Sequence, residues 1–265
     1  MALIVGGAAA VAVGLIYVIR RRSHADYFFV EVERGAGTFA FIGTAYAVLL
    51  AFVVLEAFQS FNDAKTGAEE EAISIVQLSR TAEFFPPVER EPIEASLICY
   101  GRAVIHQEWP AMKEGKRSPI LQGWVTRLED SLHQLQPDTP AQQGAFLQLL
   151  DQEDKRTDAR RARLSEANRA LPAPVWFILG LGAFVTIGFA LFFADRRELF
   201  IVQASLIGSV AALVVAGLLL IWFLDHPYEN QSGSIKPDEM ERQLVIVEAE
   251  QANAPQLCEG QGLPL

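Results

Sequence analysis

The sequence lacks the features of an enzyme, a nucleic-acid-binding protein or a disulfide-rich secreted domain. Its 265 residues contain only two cysteines, Cys99 and Cys258, which is too few for a disulfide scaffold. The formal net charge is −10, so we expect no nucleic-acid partner. The four histidines are scattered, and the motifs HExxH, CxxC and GxSxG and the phosphate-binding loop are missing. We therefore predict neither catalytic activity nor a bound metal or cofactor.

Charge is also missing from long stretches of the chain. Leu199–Leu224 runs for 26 residues without a charged side chain, more than the ~20 residues that a helix needs to cross a bilayer. Ala2–Ile19, Phe39–Leu55 and Val175–Ala194 are similar but shorter. The sequence thus predicts an all-α polytopic membrane protein with four transmembrane helices. A helical extramembrane domain is inserted between the second and third of them.

The polar stretch between the second and third spans is predicted to be helical. Ile93, Leu97, Tyr100 and Val104 fall on one helix face, and so do the apolar residues from Leu121 to Leu135. The resulting division has four parts: 1–61 with transmembrane helices 1 and 2, 62–173 as the extramembrane domain, 174–226 with transmembrane helices 3 and 4, and 227–265 as a polar, partly disordered tail.

The last three spans carry small residues at a spacing of four, which places them on one face of each helix. Small side chains allow helices to approach closely in lipid, so we expect these faces to form helix contacts, within one subunit or between subunits. The alternative is that glycine and alanine are simply common in membrane helices. The residues are Gly43, Ala47 and Ala51; Gly182, Thr186 and Ala190; and Gly208, Ala212 and Ala216.

Two groups of charged residues are candidate functional positions. Glu56 lies at the end of the second span, where an ionisable group is either functional or marks the headgroup level. Arg156, Arg160 and Arg163 share one face of a predicted helix. They form either a solvated face paired with nearby acidic residues or an electropositive surface that attracts anions or lipid headgroups.

Several sequence segments together resemble the bacterial and plant bestrophin-like membrane family. In family order they cover roughly residues 36–237. The segments are Gly43-Thr44-Ala45-Tyr46-Ala47-Val48-Leu49-Leu50-Ala51-Phe52-Val53-Val54, Phe61-Asn62-Asp63-Ala64, Glu69-Glu70-Glu71-Ala72, Tyr100 with Glu108-Trp109-Pro110, Arg160-Arg161-Ala162-Arg163-Leu164, Leu171-Pro172 with Trp176, and Asp225-His226-Pro227-Tyr228.

This resemblance implies similarity to bestrophins, which are pentameric anion channels with four spans, helical cytosolic extensions and a pore lined by the second span. It would make Phe52, Glu56, Gln59 and Ser60 pore-lining candidates. It also implies a bacterial inner-membrane location, with the lipid bilayer, further copies of the chain and small inorganic ions as partners. The alternative function is a non-conducting membrane anchor whose helical domain binds a partner.

The orientation in the membrane stays open at this point. Arg20, Arg21, Arg22 and Arg34 lie between the first two spans, and Arg196 and Arg197 lie between the last two. The positive-inside rule would place both of these short loops in the cytoplasm and the middle domain outside. The resemblance implies the reverse, a cytosolic middle domain, which is the placement we expect.

Overall fold

The structure is a computed structural model that describes residues 1–22, 32–165, 167, 171–192, 199–229, 231–252 and 254–265. The chain divides into two compact units. The membrane unit comprises Met1–Gln59 and Ala170–Asp225, and the helical unit comprises Ser60–Arg169 and His226–Leu265. The described residues form helices and turns, and their β-structure is limited to one isolated bridge between Cys258 and Pro264.

The described helices follow one another along the whole chain. They are α1 (Ala2–Arg22), α2 (Val32–Ala82), α3 (Pro87–Ala103), α4 (Trp109–Lys113), α5 (Pro119–His133), α6 (Pro140–Ser165), α7 (Ala173–Phe192), α8 (Phe200–Leu224) and α9 (Asp238–Glu250). A π-helical turn, Val104–Glu108, joins α3 to α4.

Four of the described helices, α1, α2, α7 and α8, are long and apolar enough to cross a membrane. Each overlaps one of the predicted spans, so the expected fold class is confirmed. Small differences concern the ends: α7 begins two residues earlier than predicted, and α8 begins one residue later. The predicted end of the third span at Ala194 lies outside the described residues, as do Arg196 and Arg197.

Helix α2 continues from its transmembrane part into the helical unit without interruption. Its 51 residues contain no proline, and at a rise of ~1.5 Å per residue the helix is about 77 Å long. Gly67 lies in the extramembrane part. A Cβ atom there would lie 2.9 Å from the carbonyl oxygen of Ala159, so this glycine allows α2 to approach α6 closely.

Proline and polar side chains set where the helices of the helical unit begin. Pro87 and Pro119 occupy first-turn positions, where the missing N–H costs nothing. Ser118 Oγ accepts a bond from the Leu121 N–H at the start of α5. Thr139 and Gln142 exchange bonds at the start of α6, which is a capping box.

The core of the helical unit is one contiguous cluster of buried residues. The predicted faces of α3 and α5 are buried in it, including Ile93, Tyr100, Leu121 and Leu132. Helix α9 adds the buried side chains Met240, Leu244 and Val247. It lies in the segment predicted to be a polar, partly disordered tail, and the sequence does not reveal it because its three buried residues are set among charged ones.

Candidate functional site

The predicted pore-lining residues of α2 are placed on an uncovered part of that helix. Phe52, Glu56 and Gln59 are exposed in the single chain, and Ser60 is half-buried. For Phe52 the exposed fraction is 68%. The face therefore combines an exposed ring, an exposed carboxylate and an exposed amide along about two turns of helix.

The small residues of α2 also face away from the rest of the described chain. Ala47 and Ala51 are exposed, and among the described residues no atom of another element lies within 4 Å of a Cβ built on Gly43. Among the described residues, the predicted stripe of α2 makes no close helix contact, although Gly43 itself is half-buried. Contact with another subunit remains a prediction.

The stripe of α7, in contrast, packs inside the membrane unit. A Cβ on Gly182 would lie 2.4 Å from the ring of Tyr46, so this ring occupies the space that the glycine leaves. The hydroxyl of Tyr46 donates a hydrogen bond to the Leu179 carbonyl at 3.0 Å. Thr186 and Ala190 are buried on the same helix.

The stripe of α8 becomes more exposed along the helix. Gly208 is buried, and a Cβ built on it would lie 3.5 Å from Val13 Cγ2, an ordinary contact distance. Ala212 is half-buried and Ala216 is exposed. This stripe therefore contacts α1 near its start and leaves its later part open to lipid or to another copy.

A buried network of charged residues joins three elements of the helical unit. Arg163 on α6 donates from Nη2 to Glu71 Oε1 at 2.9 Å and to Glu108 Oε2 at 2.6 Å. Its Nε donates to the second oxygen of Glu71. Arg163, Glu71 and Glu108 are completely buried, so α2, the π-helical turn and α6 are linked by ion pairs shielded from water.

Two further arginines of α6 extend this network. Arg160 Nη2 donates to Glu108 Oε1 at 2.7 Å, and Arg156 Nε donates to Glu153 Oε2 at 2.7 Å. The guanidinium of Arg156 also lies 4.7 Å from the ring centre of Tyr100, a cation–π contact. Three carboxylates thus balance three guanidiniums.

The pKa shifts of the network follow from this balance. Burial alone would raise the pKa of Glu108, but the guanidiniums of Arg163 and Arg160 outweigh it and hold that pKa below the ordinary value. Burial, followed by the charge of Glu71, raises the pKa of Tyr100, whose hydroxyl donates to a Glu71 oxygen. At neutral pH the network therefore contains an ionised Glu108 and a neutral Tyr100.

The structure does not place Arg156, Arg160 and Arg163 on an anion-attracting or lipid-facing surface. Arg156 and Arg163 are completely buried and Arg160 is 8% exposed. Their side chains are directed at internal carboxylates, and Arg156 Nη1, which has no hydrogen-bond partner among the described residues, is buried as well. The interpretation as a face paired with acidic residues is closer to the structure. Of the acidic residues that neighbour these arginines in the sequence, Glu153 is the one that forms an ion pair with them in the described structure. The ion pairs of the three arginines are buried rather than solvated.

Sequence periodicity did not identify Glu71 and Glu108 as partners of Arg163. Their segments were nevertheless among those that carry the family resemblance, and Tyr228 belongs to another of them. The Tyr228 hydroxyl donates toward the carbonyls of Arg163 at 3.1 Å and Ala64 at 3.3 Å. The sequence signal that could have identified these partners is that their segments occur together in the family pattern. In the structure these segments contact one another in the core of the helical unit.

Two other segments that carry the family resemblance contact each other in the membrane unit. Asp225, at the end of α8, is buried and accepts hydrogen bonds from the Leu171 N–H at 2.9 Å and from Trp176 Nε1 at 3.2 Å. This carboxylate therefore ties the start of α7 to the end of α8.

Comparison with known proteins identifies one matching family and solved structures that are similar over most of the chain. Residues 6–238 match the Bestrophin-like domain. A solved structure of a bacterial bestrophin homologue from Klebsiella pneumoniae has a TM-score of 0.68 at 14% identity, covering 93% of this chain and 97% of that one. A point mutant of that homologue gives 0.67 at 14% identity, with coverages of 92% and 96%. No curated protein sequence matches significantly.

Proposed function

The chain belongs to the bestrophin-like family, and on this premise we propose that it is an ion channel assembled from five copies of itself around a pore lined by α2. The observation that carries the proposal is the uncovered face of α2. Phe52, Glu56 and Gln59 are exposed in a helix that is long and apolar enough to cross the membrane. In a ring of copies this face would line a water-filled axis.

Lipid is a poor environment for this face. A charged side chain costs about 2.5–3.5 kcal/mol at the centre of a transmembrane helix, and less near its ends. The carboxylate of Glu56 and the amide of Gln59 avoid that cost when they contact water. A central aqueous pore accounts for both polar side chains, and Phe52, one turn earlier, would narrow it.

The exposed row continues along the extramembrane part of α2. Asp63, Thr66 and Glu70 follow Glu56 and Gln59 at steps of seven residues, and all three are exposed. A seven-residue step keeps side chains near one helix face. The extension would supply further polar groups to ions that enter or leave.

The charge of this face favours cations over anions. In a symmetric assembly, Glu56 becomes a ring of carboxylates around one axis, which attracts cations and repels anions. We therefore expect currents that favour cations or discriminate little, in contrast to the anion selectivity that the resemblance implies.

Ion flux through reconstituted protein tests the proposal. Purified protein in liposomes under a salt gradient should conduct, and Glu56→Gln should shift the reversal potential toward that of the anion. Glu83→Gln, which alters an exposed carboxylate beyond the end of α2, should leave the reversal potential unchanged. An unchanged potential in Glu56→Gln would remove this residue from the pore.

The number of subunits tests the assembly independently. Cross-linking in detergent should give a ladder that ends at five. A monomer or dimer without flux would instead favour the second candidate, a non-conducting anchor with a partner-binding domain. The self-contained core of the helical unit is the observation that favours that candidate.

A further inference from the structure

We infer that Cys99 and Cys258 are oxidised by an external disulfide oxidant, and that the helical unit therefore lies on the non-cytoplasmic side of the membrane. The structure joins these two residues in a disulfide across 159 positions of sequence. This inference concerns covalent modification and orientation, and it does not depend on whether the protein conducts ions.

The backbone positions the two cysteines for this bond. Their Cα atoms are 5.8 Å apart, within the usual range for a disulfide, and both residues are 1% exposed. The sequence contains no third cysteine, so the pairing has no competitor within the chain. Cys258 lies beyond residues 6–238, the part that matches the family, so the bond is not part of the family-matched region.

Independent contacts hold the partner segment in place. We call residues 254–265 the C-terminal strap. Trp124 Nε1 donates to the Gly262 carbonyl at 2.8 Å, and Gln107 Nε2 donates to the Gln261 carbonyl at 3.2 Å. Gly262 has a φ of 75°, and a Cβ there would lie 2.4 Å from the backbone nitrogen of Ala103. The strap therefore docks closely beside the π-helical turn, with the disulfide near its start.

The chemistry of the bond requires an oxidising compartment. Formation of one disulfide removes two protons and two electrons from two thiols. A small or protein disulfide can accept them by exchange through a mixed disulfide, which leaves two thiols on the oxidant. The bacterial periplasm supplies such oxidants, whereas the cytoplasm keeps thiols reduced.

The distribution of arginine supports the same orientation. Arg20, Arg21, Arg22 and Arg34 lie between the first and second spans, and Arg196 and Arg197 between the third and fourth. Four spans put both of these segments on the side opposite the helical unit. The positive-inside rule makes that side the cytoplasm, and thereby agrees with the redox chemistry rather than with the cytosolic placement that the family resemblance implies.

The first experiment measures the thiols of the full-length protein in bacterial cells. Cells are quenched in acid, the protein is denatured, and free thiols are labelled with a mass-shifting maleimide. We expect no shift in the wild type without reductant and a shift of two labels after reduction. In a host that lacks its periplasmic disulfide oxidase, the two labels should appear without reductant. Free thiols in the normal host would overturn the inference.

The second experiment measures orientation directly. In a Cys99→Ser/Cys258→Ser background, a single cysteine is introduced by Arg117→Cys, at an exposed position of the helical unit, or by Ser23→Cys, between the first two spans. A membrane-impermeant maleimide applied to intact spheroplasts should label Arg117→Cys, and Ser23→Cys only after lysis. The reverse pattern would overturn the inference, even if a disulfide is found.

Discussion

The two units of the chain are stabilised in different ways. The helical unit has one contiguous core, a buried network of ion pairs and a disulfide. In its described residues the membrane unit has three small clusters of buried side chains instead, while Phe41, Phe52 and Phe184 stay largely exposed. Lipid is as apolar as these side chains, so the membrane unit gains little by burying them. The first unit thus buries its apolar side chains mainly in one core, whereas the second leaves more of its apolar surface for lipid or for further copies.

The largest effect should come from breaking the network that closes the helical unit. Arg163→Gln would leave Glu71 and Glu108 buried without their shared guanidinium. Removal of one partner from a buried ion pair costs about 3–5 kcal/mol. We expect a clearly lower unfolding temperature for the purified protein in detergent, measured by circular dichroism.

A matched control lies two residues away on the same helix. Arg161 pairs with Asp158, but both side chains are 75% exposed, so Arg161→Gln should leave the unfolding temperature unchanged. Equal behaviour of the two variants would show that burial of the network does not contribute to stability.

The next largest effect should come from the closest contact within the membrane unit. Gly182→Ala would place a methyl group where the Tyr46 ring lies and displace the ring from its bond with Leu179. Overpacking of this kind costs about 1–3 kcal/mol. We expect a lower unfolding temperature, measured as above.

Gly180→Ala is the control, because no described atom of another element lies within 4 Å of its Cβ position. It should leave the unfolding temperature unchanged or raise it slightly, since alanine favours a helix. A similar loss of stability in both variants would mean that the contact with Tyr46 does not determine the result.

A smaller effect of opposite sign is expected at Glu94, a buried carboxylate of the helical unit whose only ion pair among the described residues, with Arg90, is long. Arg90 Nε lies 3.6 Å away, and among the described residues Glu94 Oε1 has no hydrogen-bond partner. Burial raises the pKa of Glu94, an effect that Arg90 only partly offsets. Its contribution to stability is complete below the unfolded pKa of ~4.3 and is lost as the pH rises through the folded pKa. Glu94→Gln should therefore stabilise the protein at neutral pH, by less than Gly182→Ala destabilises it, and have no effect in acid.

Glu108→Gln provides the opposite case within the same unit. Because the folded pKa of Glu108 is lowered, its contribution is present above the unfolded value and is lost as the pH falls through the folded one. This variant should be destabilised at neutral pH, and the difference from wild type should shrink in acid. Thermal unfolding at several pH values separates the two variants, and the same pH trend in both would contradict the assignment.

The features that could be predicted from the sequence are those that follow from local periodicity. The four spans and the apolar faces of α3 and α5 repeat at helical spacing, and each is found where it was expected. The partners of Arg163 were not predictable in this way, since Glu71 is 92 positions away and Glu108 is 55. Periodicity describes which face is buried and contains no information about which distant segment covers it.

The disulfide and the C-terminal strap were missed for the same reason. Two cysteines separated by 159 positions do not reveal whether they meet. The close approach of Gly262 to Ala103 depends on a positive φ, which glycine can adopt. The presence of a glycine in the sequence does not show that it adopts this conformation. The small-residue stripes show the same limit: their spacing is identical, yet the α7 stripe packs within the chain and the α2 stripe is uncovered.

The smallest effect on one subunit, and the sharpest test of the uncovered surface, is expected from Gly43→Leu on α2. No described atom of another element lies within 4 Å of its Cβ position, so the first carbon of the larger side chain meets no close neighbour in the described part of the subunit. The unfolding temperature of the monomeric fraction should not change. If the stripe of Gly43, Ala47 and Ala51 contacts another copy, a branched side chain would separate two closely packed helices and shift the assembly toward smaller species. Size-exclusion chromatography with light scattering in detergent measures this shift, and Phe184→Leu, an exposed apolar exchange on α7, is the control. An unchanged assembly in Gly43→Leu would assign the stripe to lipid, and the proposed ring of copies would then rest on the polar residues Glu56 and Gln59 of α2.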